Sequence, residues 1–131
     1  EASVERDGTV AIMGSHVDPT SRRLGVGTAL YAAMNELACA SRGPLQSDSM
    51  RSPFAEAFWR KQKARGRARC VVGEDDEIGS ANLDPEIMAD APRRGLPRPI
   101  VDRDGHSGWP CWRWEIPSPC STPSLAGRRR R

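Results

Sequence analysis

Residues 22–27, "RRLGVG", set Arg22, Arg23, Gly25 and Gly27 directly before an apolar helical run. The first turn of a helix carries unpaired N–H groups and a partial positive charge, and glycines let a ligand approach that backbone closely. Arg22 and Arg23 add full charges and forked donors, so the corner favours a diphosphate over a single carboxylate. No "GKS" or "GKT" follows, which excludes a Walker A loop, and Leu30 replaces the third glycine of a dinucleotide fingerprint. Other chemistry is thinly provided. The cysteines at 39, 70, 111 and 120 form no CxxC pair, and His16 and His106 lie outside any metal-ligand spacing, so no zinc site is expected. His16 reads as a hydrogen-bonded histidine at a strand end.

The elements that must position this corner are local. "TVAIMGSHV" at 9–17, bounded by "RDG" and "DPTS", predicts a buried strand ending near Val17. From Val26, the residues Leu30, Ala33, Met34, Leu37 and Ala38 recur at helical steps and predict an apolar stripe to about Ser41. Gly43 and Pro44 should end that helix, with glycine as the left-handed cap. "PLQSD" at 44–48 predicts a brief strand, and a second helix follows with Ser52 as cap and Pro53 in the first position. Phe54, Ala55, Phe58 and Trp59 give that helix its apolar side, Lys61, Lys63 and Arg65 occupy its last turns, and Gly66 stops it. "RARCVV" at 67–72 returns as a strand. Strand, helix, strand, helix, strand over this length argues for an α/β layer arrangement.

"RRLGVG" also fits the pattern Arg or Gln, two residues, Gly, one residue, Gly or Ala. With a strand before it and an apolar helix after it, the chain resembles the GNAT superfamily of acyl-coenzyme A-dependent N-acetyltransferases over residues 9–72. "VDPTSRR" is similar to that family's approach to the turn, and "FAEAFWRKQKARGRA" stands where the family has its next helix. The resemblance implies a partial GNAT-like mixed sheet with two flanking helices and an irregular C-terminal region. It implies acetyl-CoA as co-substrate, cradled by Val17, Arg22, Arg23, Leu24, Gly25, Val26, Gly27 and Thr28. It implies transfer of an acetyl group to a primary amine of a small molecule or peptide, with a non-catalytic or degenerate CoA-binding or interaction remnant as the alternative. One or two of the basic residues from Arg60 to Arg69 would then meet the cofactor's 3′-phosphate; otherwise they form a solvated helix face.

Two departures from the family pattern qualify those implications. Members usually place a strand, one or two helices and two more strands before the signature, whereas about 16 residues precede Val17 here, which implies either a truncated reading frame or a minimal remnant lacking part of the sheet and much of the acceptor site. A missing sheet edge favours dimerisation or instability. Trp59 occupies the position where many members carry a tyrosine acid, and an indole cannot protonate a leaving thiolate. Ser52 stands where asparagine is common, Tyr31 reads as packing, and between Val10 and Val17 His16 is the sole titratable group, so the catalytic residues stay unassigned.

Hydrophobic residues make up 37% of the chain and aromatics 5%, while 11 prolines and 12 glycines gather mainly in the second half, predicting a core smaller than 131 residues would allow. The resulting division is 1–72 as the CoA-binding core, 73–108 as a polar Pro/Gly-rich linker, 109–117 with a late strand in "CWRWEI", and 118–131 as a disordered Arg-rich tail. Arg128 to Arg131 supply four positive charges, so subtracting them from the net +3 leaves −1 for the body. The tail predicts weak, salt-dependent contact with polyanions and carries no base-reading element. With no apolar run of membrane-spanning length and no signal-like start, the expected location is the cytoplasm, with reduced thiols and no membrane partner.

Overall fold

A computed structural model describes residues 2–12, 26–82 and 84–121. Among them the architecture is mixed α/β, with nine short strands and three α-helices. The chain divides into two compact units, one made of residues 1–47 and 116–131 and the other of residues 48–115.

In the first unit β1 (Ala2–Val4) pairs antiparallel with β2 (Val10–Ile12), in the register Ala2 to Ile12. On its other side β2 pairs in parallel with β3 (Leu45–Gln46), Val10 facing Leu45. Pairing on both sides satisfies both edges of β2, and because successive side chains point to opposite faces, the burial of Val10, Ala11 and Ile12 in a row means that both of its faces are covered as well. Parallel neighbours need a crossover, supplied here by α1 (Val26–Ser41). The strand expected over 9–17 is described only to Ile12.

The buried line of α1 differs from the expected stripe. Tyr31, Asn35 and Ala38 are buried, whereas Leu37 is 42% exposed. The reason lies far along the chain: a 3-10 turn at Pro119–Ser121 packs on α1, with Asn35 Nδ2 donating to the Pro119 carbonyl at 3.2 Å. A tertiary partner thus covers a line of α1 that includes the polar Asn35 and leaves the apolar Leu37 outside it. The cap differs too. Arg42 takes the left-handed conformation (φ 60°) instead of Gly43. Gly43 is needed for close approach, because a Cβ there would fall on the backbone of Gly8.

In the second unit α2 (Pro53–Ala64) begins as its sequence dictates, Ser52 Oγ accepting from the Ala55 N–H at 3.2 Å with Pro53 following. Ala55, Phe58 and Trp59 are buried, and the Phe58 and Trp59 rings meet edge-on at 5.7 Å. Burying each of those two rings stabilises the unit by about 2 kcal/mol. Gly66, at φ 75°, turns the chain off the helix as expected. β5 (Arg69–Val71) then pairs antiparallel with β9 (Arg113–Ile116), the strand read from "CWRWEI".

Residues 73–108, expected as a linker, instead carry β6 (Gly79–Ala81), α3 (Pro85–Asp90), β7 (Ile100–Val101) and β8 (Ser107–Trp109). With β4 (Met50–Arg51) they form a four-stranded sheet in the order β4, β6, β8, β7. β4 and β6 run parallel and the other pairs antiparallel. These strands are two or three residues long and take their order from partners distant in sequence, and Gly79 and Gly108 let them approach.

Candidate functional site

The crossover α1 carries the sequence signature at its front. Val26, Gly27 and Thr28 form its first turn, while Val17, Arg22, Arg23, Leu24 and Gly25 lie outside the described residues. No acidic side chain occupies that turn, so nothing of the helix's own opposes an anion at its positive end. In a parallel strand–helix–strand unit, the connection after the first strand opens at the carboxyl ends of the strands, where α/β proteins place ligands. β2 ends at Ile12 and α1 begins at Val26, and residues 13–25 between them lie outside the described residues.

The side chains weighed for acid chemistry are committed to packing. Trp59 is 0% exposed and Tyr31 4%. Ser52 caps α2. His16 lies outside the described residues, and His106 sits in the turn between β7 and β8, where Asp102, Asp104 and His106 bring their ligand atoms within 4.8 Å of one another. There Asp102 Oδ1 accepts the N–H groups of Asp104 and His106 at 2.9 and 2.8 Å. The His106 N–H, above all, holds the Asp102 carboxyl below the ordinary aspartate range.

Comparison with protein-family models, with curated proteins and with solved structures finds no match to this chain. Its chemistry is therefore read from its own geometry.

The most elaborate polar arrangement among the described residues surrounds Arg51 and Glu56, whose side chains are each 1% exposed. Arg51 Nε donates to Glu56 Oε1 at 2.7 Å. Its Nη1 donates to the carbonyls of Asp48 (2.9 Å) and Trp112 (3.1 Å), and its Nη2 to the Cys111 carbonyl (2.7 Å). Glu56 Oε1 also accepts from Trp114 Nε1 at 3.0 Å, and Oε2 from Arg60 Nε at 2.9 Å. Trp109 Nε1 closes the frame by donating to the Arg51 carbonyl at 2.8 Å. Burying two charges is costly unless each is paired and hydrogen-bonded, and this network meets both conditions. Its donors and acceptors are spent internally, so its contribution is positioning: it ties β4, α2 and the approach to β9 together.

Residues 51–69 hold one acid, Glu56, in a run of seven basic residues, and that imbalance is the signal the sequence carries for this network. Other members of the run also have defined roles. Arg69 pairs with Glu115 at 2.6 Å, while Arg60 and Lys63 lie over the rings of Trp109 and Trp114 at 5.8 and 5.9 Å.

The cysteines overturn the expectation of reduced thiols. Cys39 is bonded to Cys120 within the first unit and Cys70 to Cys111 within the second. Strand pairing and the packing on α1 bring their Cα atoms to 4.7 and 5.7 Å, within bridging range. Among the described residues no helix is long and apolar enough to cross a membrane.

Proposed function

We propose that the chain binds acetyl-CoA and transfers its acetyl group to a primary amine. The observation that carries this reading is the β2–α1–β3 parallel crossover, whose strand-to-helix connection bears "RRLGVG". The donors fit a diphosphate: backbone N–H groups at the head of a 16-residue helix, an acid-free first turn, and two guanidinium groups in the preceding chain. Val17, Arg22, Arg23, Leu24, Gly25, Val26, Gly27 and Thr28 would hold it. When bound, the thioester supplies an activated acyl group. The chain's part is to orient the amine against it and to steady the carbonyl through strand N–H groups, with water carrying protons. Burial of Trp59 and Tyr31 supports a mechanism without a tyrosine acid, and equally favours the second reading, a remnant that binds coenzyme A without turnover.

The acceptor in this reading is a small-molecule or peptide amine. A homodimer and weak polyanion contact through Arg128 to Arg131 accompany it. Calorimetry with acetyl-CoA tests it: heat from the parent protein that disappears in the Gly25→Glu, Gly27→Glu double variant is expected, and no heat from the parent removes both readings. Thiol release across a panel of amines separates them, since binding without release leaves the remnant.

A further inference from the structure

We propose that the Cys70–Cys111 disulfide is a thiol-addressable switch that sets the rigidity of the buried Arg51–Glu56 network. The two sulfurs differ in access. Cys70 sits exposed on β5, whereas Cys111 is 6% exposed. Cys111 is also part of the network: its carbonyl and that of the adjacent Trp112 accept two of the Arg51 hydrogen bonds, at 2.7 and 3.1 Å. The tether pins this short connection between β8 and β9 against β5, where Cys70 faces Trp114, the residue whose indole donates to Glu56. Space around it is tight, since a Cβ on Gly79 would stand 2.6 Å from the Cys111 carbonyl and 3.0 Å from Arg51 Nη2. A covalent change at the surface therefore reaches two buried charges through one residue.

The step is ordinary thiol exchange. A thiolate of a dithiol reductant attacks Cys70 Sγ and bonds to it. The Cys70–Cys111 bond breaks, and its electron pair leaves on Cys111 Sγ, which takes a proton from water. The reductant's second thiol, after losing its proton, attacks the reductant sulfur bonded to Cys70 and releases Cys70 as a thiolate that is reprotonated. The protein disulfide gains two electrons and two protons, and the dithiol becomes a cyclic disulfide. With the tether gone, the carbonyls of Cys111 and Trp112 are free to move off Arg51.

The test uses the full chain in its oxidised form. Brief treatment with glutathione, acid quenching and peptide mapping should find the glutathione adduct on Cys70. Reduction by dithiothreitol should then raise amide exchange in residues 51–60 and 111–114 about tenfold, the factor expected when a hydrogen bond to a charged group is lost. Exchange in the β6–β8 pair should be unchanged, and oxidised glutathione should restore protection. The Cys70→Ser, Cys111→Ser variant should show the loosened pattern without reductant. An adduct first on Cys111, unchanged exchange at 51–60, loss of protection across the whole second unit, or failure of the double variant to fold would each overturn the proposal. The last two outcomes would make the bond a structural staple instead.

Discussion

Replacing Glu56 by alanine is the sharpest probe of what holds the second unit together. The carboxylate is 1% exposed and accepts from Arg51, Arg60 and Trp114 at 2.7, 2.9 and 3.0 Å. Its loss leaves the Arg51 guanidinium buried with carbonyl dipoles but without the Glu56 counter-charge, and removes the carboxylate that accepts from Trp114 Nε1. Breaking a buried pair from one side costs about 3–5 kcal/mol, a large part of the roughly 5–15 kcal/mol that holds a typical domain folded. Arg60 contributes little of this, because its side chain is 43% exposed and solvent screens it, so Arg60→Ala should cost under about 1 kcal/mol. The Arg51→Met, Glu56→Leu double variant removes both charges and should lie well nearer the parent than Glu56→Ala, since apolar replacement of a whole buried pair is often close to neutral. Guanidinium unfolding followed by tryptophan fluorescence reads this unit selectively, because Trp59, Trp109, Trp112 and Trp114 all lie in residues 48–115. A Glu56→Ala variant within about 1 kcal/mol of the parent, or a double variant as unstable as the single one, would refute the assignment of a buried, mutually dependent pair.

Ser52→Ala removes the cap of α2 and should cost about 1 kcal/mol in the same unfolding experiment, with Ser52→Asp restoring most of it. Gly43→Ala should destabilise by several times the roughly 1 kcal/mol expected for Gly66→Ala, because its Cβ would strike the Gly8 backbone whereas Gly66 has open space and only a positive φ to lose; thermal melts followed by circular dichroism rank the two. Asp102 should titrate below the ordinary aspartate value of about 3.9, read by its carboxyl resonance in NMR. A lowered native value means that its stabilising contribution to the β7–β8 turn is present above that pH and lost as the pH falls through the native value, so His106 N–H exchange should quicken only in strongly acid solution.

The two long helices were legible because their instructions are local. Ser52 and Pro53 specify a start, Gly66 a stop, and the spacing of Ala55, Phe58 and Trp59 a buried face, all within one stretch of chain. The α/β alternation was legible for the same reason. Where a distant partner decides, the sequence misleads. The buried line of α1 follows the turn at Pro119–Ser121. The strands β4, β6, β7 and β8 are too short to show alternation, and residues 73–108 have the composition of a loop until pairing gives them an order.

The candidate site divides along the same line. A glycine-arginine corner before an apolar helix is a local pattern, so the proposal of a diphosphate site there rests on the sequence by itself. That the helix behind it bridges two parallel strands is a fact of three dimensions. Four cysteines allow three pairings, and spacing selects none of them; the pairing of β5 with β9 and the packing of Pro119–Ser121 on α1 do. Glu56 looked like one acid in a basic run, and only tertiary structure could bury it with Arg51. The cost of burying a charge is set by what surrounds it, and those surroundings come from residues 48 to 114.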